Sequence, residues 1–133
     1  MKKVFVNGYG SIGSRIVQFI KDDPEIEILG IGKYSPDSKV NEAIEKGFKV
    51  FVPEKNQNAF TNFSISGNIE SVLDEADWVS DASPGGHGFK NKKLFYEPRN
   101  ILSIYQGGET IDGENAVSDL LFNSRVNYND AIG

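Results

Sequence analysis

Three glycines at Gly8, Gly10 and Gly13, in the stretch Asn7-Gly8-Tyr9-Gly10-Ser11-Ile12-Gly13, carry the clearest chemical signal in this chain. The Gly-x-Gly-x-x-Gly spacing suits a backbone that turns tightly, comes close to a pyrophosphate and then packs a helix against the preceding strand. Tyr9, Ser11 and Ile12 fill the same loop, and the free N–H groups of a helix N-terminus would face the phosphate oxygens. The plain alternative is turn glycines without a ligand. The apolar run Val4-Phe5-Val6 before the loop and an amphipathic stretch after it favour a dinucleotide site.

About 20 residues beyond such a loop, an Asp or Glu commonly receives a ribose 2′-hydroxyl. Here the local residues are Lys33, Tyr34 and Ser35. A cation and a hydroxyl suit a 2′-phosphate, which carries close to two negative charges. The expected cofactor is therefore NADP in preference to NAD, with Lys33 and Ser35 at the adenosine ribose. Two further glycine-rich stretches, Ser83-Pro84-Gly85-Gly86 and Gln106-Gly107-Gly108-Glu109, each follow an apolar strand-like run. Ser83, Pro84, Gly85, Gly107 and Gly108 are expected to cradle the cofactor with backbone groups.

His87 is the one histidine, and it lies beside a glycine-rich loop with no serine or cysteine nucleophile pattern near it. No catalytic role is assigned to it, nor to any other residue. The acidic stretch Leu73-Asp74-Glu75-Ala76-Asp77 reads as the solvated end of a helix. No metal-ligand spacing is present, and a lone histidine without cysteine does not build the usual zinc site.

The elements that must position these residues alternate. A strand at 3–6 precedes a helix with Ile12, Ile16, Phe19 and Ile20 on one face, ended by Asp22-Asp23-Pro24. A second strand at 26–31 closes a βαβ unit, and Val40, Ala43 and Ile44 mark a short helix stopped at Gly47. Strands follow at 48–52, 78–82 and 101–105, with helices at 69–76 and about 91–96. Leu120-Leu121-Phe122 reads as a last strand, and a short helix is expected near 128–132. This alternation predicts one domain over 1–133: an α/β, doubly wound, mainly parallel sheet with helices on both faces. All three glycine-rich loops then converge on the C-terminal edge of the sheet.

The 133 residues carry a net charge of −5, which argues against nucleic acid as a partner. No run reaches the length of a membrane span, and no signal peptide is evident, so a cytoplasmic protein is expected. There is no cysteine, hence no disulfide, no thiolate ligand and no thiol nucleophile.

Taken in order, the motif at 7–13, the 73–77 stretch, Asp81-Ala82-Ser83-Pro84-Gly85-Gly86, Gly88-x-Lys90-Asn91-Lys92, Gln106-Gly107-Gly108-Glu109 and the tail Asn127-Tyr128-x-x-Ala131-x-Gly133 resemble one family. They are similar to the N-terminal half of the archaeal-type (type II) phosphorylating glyceraldehyde-3-phosphate dehydrogenases, which are glycolytic oxidoreductases. The resemblance implies a Rossmann-like domain that accepts NADP and often NAD. Ser11 and Ile12 would lie at the pyrophosphate, Lys33 near the adenosine ribose and Gly108 on the nicotinamide side. It also implies what is missing. The family's nucleophilic cysteine, catalytic histidine and phosphate-binding arginine match nothing here, so the expectation is a cofactor-binding module inactive alone. The alternatives are one subunit of a split dehydrogenase that needs a separate catalytic half, or a cofactor-sensing remnant. A homo-oligomer or a separate catalytic half could cover apolar surface left exposed, with the nine phenylalanines as candidates.

Overall fold

The computed structural model describes residues 1–83 and 87–105. Strand β1 (Lys2–Asn7) is followed by α1 (Ser11–Ile20), β2 (Ile26–Gly32), α2 (Ser38–Glu45) and β3 (Val50–Val52). A 3₁₀ turn (Glu54–Phe60), the two-residue strand β4 (Gly67–Asn68), α3 (Ile69–Leu73) and β5 (Trp78–Asp81) come next. Helix α4 (His87–Asn91) widens into a π turn (Lys92–Tyr96), ends in one α turn (Glu97–Arg99) and leads to β6 (Leu102–Tyr105). The strands form one sheet in the order β4-β3-β2-β1-β5-β6, and every pairing is parallel.

This is the Rossmann-like, doubly wound order. The chain winds from β1 out to β4, then returns to the other side of β1 for β5 and β6, so the switch point lies between β1 and β5. Alternation along β1 divides the core between the two faces of the sheet. Val4 and Val6 pack with Val17 of α1 and with Val40 and Ala43 of α2; Phe5 packs with Ile69, Val72 and Leu73 of α3 and with Tyr96.

The element boundaries differ from the sequence expectation where one residue controls local geometry. Helix α1 buries Gly13 and Val17, with Ile16 and Ile20 partly covered, while Ile12 is 49% and Phe19 is 89% exposed. The cause is the contact of Gly13 with the β1 loop. It fixes the rotation of the helix, and at about 100° per residue Ile12 and Phe19 turn away from the core. The helix expected from about 91 begins at His87. It passes through a π turn in which the Glu97 amide donates to the Lys92 carbonyl, just before Pro98, which has no N–H to continue an α ladder. Asn100, at φ 55°, closes the segment in the left-handed conformation. The acidic stretch is partly structural: Asp74 accepts from Arg99 Nε at 2.8 Å, and Asp77 accepts the Lys3 amide at 2.9 Å. The strand expected at 120–122 and the helix near 128–132 lie outside the described residues.

Candidate functional site

Register alone brings the strand ends together. Asn7 lies opposite Asp81, and Asp81 opposite Tyr105, so β1, β5 and β6 finish level on the C-terminal edge. Gly8 leaves this edge at φ +125°, a backbone region that L side chains rarely adopt, and a Cβ there would stand 2.4 Å from the Ala82 carbonyl oxygen. A Cβ on Gly13 would stand 2.0 Å from the Gly8 carbonyl oxygen. Both glycines are therefore required by the protein's own packing. Gly10 differs: it is exposed, and an added Cβ would meet nothing within 4 Å.

Gly10 is also the N-cap of α1, with no side-chain cap. The first backbone bond runs from the Ser14 amide to the Gly10 carbonyl at 3.0 Å, so the amides of Ser11, Ile12 and Gly13 precede the helical ladder. Ser11 and Ile12 are exposed beside this end. An uncapped helix N-terminus next to open space, entered through a glycine, fits a phosphate-bearing ligand. Tyr9 sits elsewhere. Its ring is buried in the core beside Phe48, burial pushes its phenol upward in pKa, and its hydroxyl has no hydrogen-bond partner. Only the backbone of Tyr9 faces the loop.

At the end of β2, Lys33 is buried and its amide donates to the Phe51 carbonyl at 2.9 Å. Its Nζ lies 2.9 Å from Asp37 Oδ1. Asp37 is at the same time the N-cap of α2, accepting the Lys39 amide at 3.0 Å. Burial alone would raise the Asp37 pKa, but the hydrogen bond and charge of Lys33 outweigh it and hold the carboxyl below its ordinary value. An acid therefore does stand at the end of β2, four residues beyond Lys33. The signal for it was present as an Asp in the turn that opens a helix. Ser35 is exposed on the intervening turn.

Between these two corners lies a buried polar network that the sequence reading missed. Asn7 Nδ2 donates to the Tyr96 hydroxyl at 2.8 Å, and the Tyr34 hydroxyl donates to Asn7 Oδ1 at 2.9 Å. Asn91 Nδ2 reaches the Tyr34 hydroxyl at 3.0 Å and Asp81 Oδ2 at 3.1 Å. Asp81, itself fully buried, also accepts from the Tyr96 hydroxyl and from the amide and hydroxyl of Ser83. Burial first, then the nearby Asp81 carboxyl, pushes the Tyr34 and Tyr96 phenols well above the ordinary tyrosine range. These bonds lock the ends of β1, β2 and β5 to α4. Ser83 thus turns its amide and hydroxyl inward, and His87 opens α4 with its ring edge-on to Tyr34 at 5.1 Å. Pro84, Gly85, Gly107 and Gly108 lie outside the described residues. Among the described residues no group of three acidic, histidine or cysteine side chains could hold a metal ion, and no helix is long and apolar enough to cross a membrane.

A parallel doubly wound sheet with an open glycine turn and an uncapped helix start at its switch point defines a Rossmann-like nucleotide-binding domain. By sequence, the chain is a relative of the archaeal glyceraldehyde-3-phosphate dehydrogenases, similar to an N-terminal-like segment of them. It is 39% identical over 132 residues to the glyceraldehyde-3-phosphate dehydrogenase of Sulfolobus acidocaldarius, covering 98% of this chain and 37% of that protein. It is 38% identical over 137 residues to the enzyme of Methanobacterium bryantii, covering 100% of this chain and 39% of that one. The chain thus spans little more than a third of these relatives. No protein-family profile matches it. Among solved structures, a DOX-P reductoisomerase in complex with magnesium superposes with a TM-score of 0.56 at 17% identity, over 80% of this chain and 31% of that one. A DOX-P reductoisomerase in complex with NADPH, fosmidomycin and magnesium gives 0.54 at 19%, over 77% and 29%. These two likenesses concern the fold.

Proposed function

We propose that this chain is the cofactor-binding part of a glyceraldehyde-3-phosphate dehydrogenase-like oxidoreductase, holding NADP or NAD at the C-terminal edge of its sheet. The observation that carries this reading is the asymmetry of the three glycines: Gly8 and Gly13 are consumed by packing, while Gly10 faces open space at an uncapped helix start. The pyrophosphate would rest on the amides of Ser11, Ile12 and Gly13, with the backbone of Gly8 and Tyr9 shaping the turn. The adenosine ribose would lie towards Lys33 and Ser35, and the nicotinamide towards the ends of β5 and β6, which Ser83, Pro84 and Gly85, and Gly107 and Gly108, follow in the sequence. When bound, the nicotinamide ring would supply the hydride acceptor.

The residues of the chain would hold and orient that ring but bring no thiol nucleophile. With no cysteine among them, a thiol cannot attack an aldehyde here, so the 133 residues alone bind cofactor without turnover. Activity then requires a catalytic half that supplies the nucleophile. Lys33 favours a 2′-phosphate while the Asp37 carboxylate paired with it opposes one, so either nicotinamide cofactor is a candidate. A calorimetric titration with NADPH and NADH tests the reading. Saturable binding of either at micromolar to millimolar concentration is expected, and heats indistinguishable from dilution for both would refute it.

A further inference from the structure

The turn between β1 and α1 is seated on one peptide. A Cβ on Gly8 would stand 2.4 Å from the Ala82 carbonyl oxygen and 2.8 Å from the Ser83 nitrogen, and a Cβ on Gly13 would stand 3.6 Å from the Ala82 Cβ. The Ala82 amide also donates to the Asn7 carbonyl at 2.9 Å. The Ala82–Ser83 peptide is therefore the wall behind both Gly8 and the first turn of α1. Asp81 orients that wall. Its Oδ1 accepts the Ser83 amide at 3.0 Å and the Ser83 hydroxyl, and its Oδ2 accepts Asn91 Nδ2 at 3.1 Å and the Tyr96 hydroxyl. The Tyr96 hydroxyl already accepts from Asn7 Nδ2, so its own proton is the one directed at Asp81. Four donors thus end on one side chain. A carboxylate accepts them all, whereas an amide of the same shape would turn an NH₂ group towards two of them. We infer, on the dinucleotide reading above, that Asp81 and Ser83 are positioning residues for the pyrophosphate. They fix the Ala82–Ser83 wall, and through it the Gly8 turn and the amides that open α1, without touching the ligand. Ser83, buried with its amide and hydroxyl turned inward, acts from behind the turn.

Asp81→Asn keeps the shape of the side chain and sets a donor against donors. Ser83→Ala removes only the hydroxyl and serves as the milder variant should the first fold poorly. Phe60→Leu, which loosens the core beside Phe63, is the control for lost stability alone. NADH and ADP-ribose, which share the pyrophosphate but not the nicotinamide, are titrated by calorimetry well below each protein's melting temperature. Asp81→Asn should weaken both ligands equally, by on the order of tenfold, as expected for one lost amide–phosphate hydrogen bond. Ser83→Ala should weaken both in the same ratio but to a smaller degree, and Phe60→Leu should melt earlier while leaving both affinities unchanged. Unchanged affinities in folded Asp81→Asn or Ser83→Ala, a loss confined to NADH, or an equal loss in Phe60→Leu would each overturn the inference and leave the dinucleotide reading standing. If wild type binds neither ligand, both fall together.

Discussion

In the turn that follows β1 the chain builds with backbone, whereas beside it, where β1, β2 and β5 end, it builds with side chains. The glycine corner brings Gly8, Gly13 and Ala82 within distances that no Cβ could share and leaves one position, Gly10, open to the outside. The neighbouring corner fills the equivalent space with Asn7, Tyr34, Asp81, Asn91 and Tyr96, all joined by hydrogen bonds. The difference is one of division of labour. A phosphate is recognised by amides and a helix dipole, which need bare backbone. The platform behind it must not shift, which calls for a fully satisfied polar network in a low-dielectric interior.

The largest effect should come from crowding the backbone corner. Gly13→Ala improves intrinsic helix propensity by about 1 kcal/mol, but its Cβ would meet the Gly8 carbonyl, with the oxygen at 2.0 Å and the carbon at 2.8 Å, so backbone would have to move. Steric cost of about 3 kcal/mol should win and lower the melting temperature by on the order of 10 °C. An unchanged or higher melting temperature would show that the corner has slack.

Breaking the side-chain corner should cost somewhat less. Tyr96→Phe removes the hydroxyl shared by Asn7 and Asp81 and leaves a buried carboxyl short of one donor, a loss of about 1–3 kcal/mol in denaturant unfolding. If stability holds, the network is redundant and the contrast between the two corners weakens.

Smallest is the alkaline response. Tyr34 and Tyr96 have folded pKa values raised above the ordinary 10.0 by burial and by Asp81. Their neutral phenols therefore stabilise the fold fully below pH 10, and that contribution is lost as pH climbs from 10 towards the folded values. Circular dichroism and tyrosinate absorbance followed together should show these two rings ionising only as the fold is lost. Tyrosinate from them with the fold intact would contradict their burial.

The two corners were unequally legible in the sequence. The glycine loop is contiguous, and each of its residues answers a local demand, so residues 7–13 could be read directly. The same holds for the alternating strands and helices and for the parallel sheet they imply. The polar network spans 89 positions, from Asn7 to Tyr96, and its members are individually ordinary residues that only the strand register and the π turn bring together. Asp37 reads in the sequence only as part of the turn that opens a helix, Ser35-Pro36-Asp37-Ser38; its pairing with Lys33 is not legible there, because only the fold of that turn brings the carboxylate back to the end of β2. The exposed Phe19 shows the same limit: helical periodicity grouped it with Ile16 and Ile20, but the close seat of Gly13 set the rotation.

Gly10→Thr measures the central claim most directly, because Thr caps a helix about as well as Gly and its side chain would enter open space. Melting and NADPH and NADH titrations are run on the same sample. The expected result is a melting temperature within a few degrees of wild type, at a cap cost of a few tenths of a kcal/mol, with binding of both cofactors lost. Retained binding by a folded Gly10→Thr protein would place the dinucleotide somewhere other than this edge.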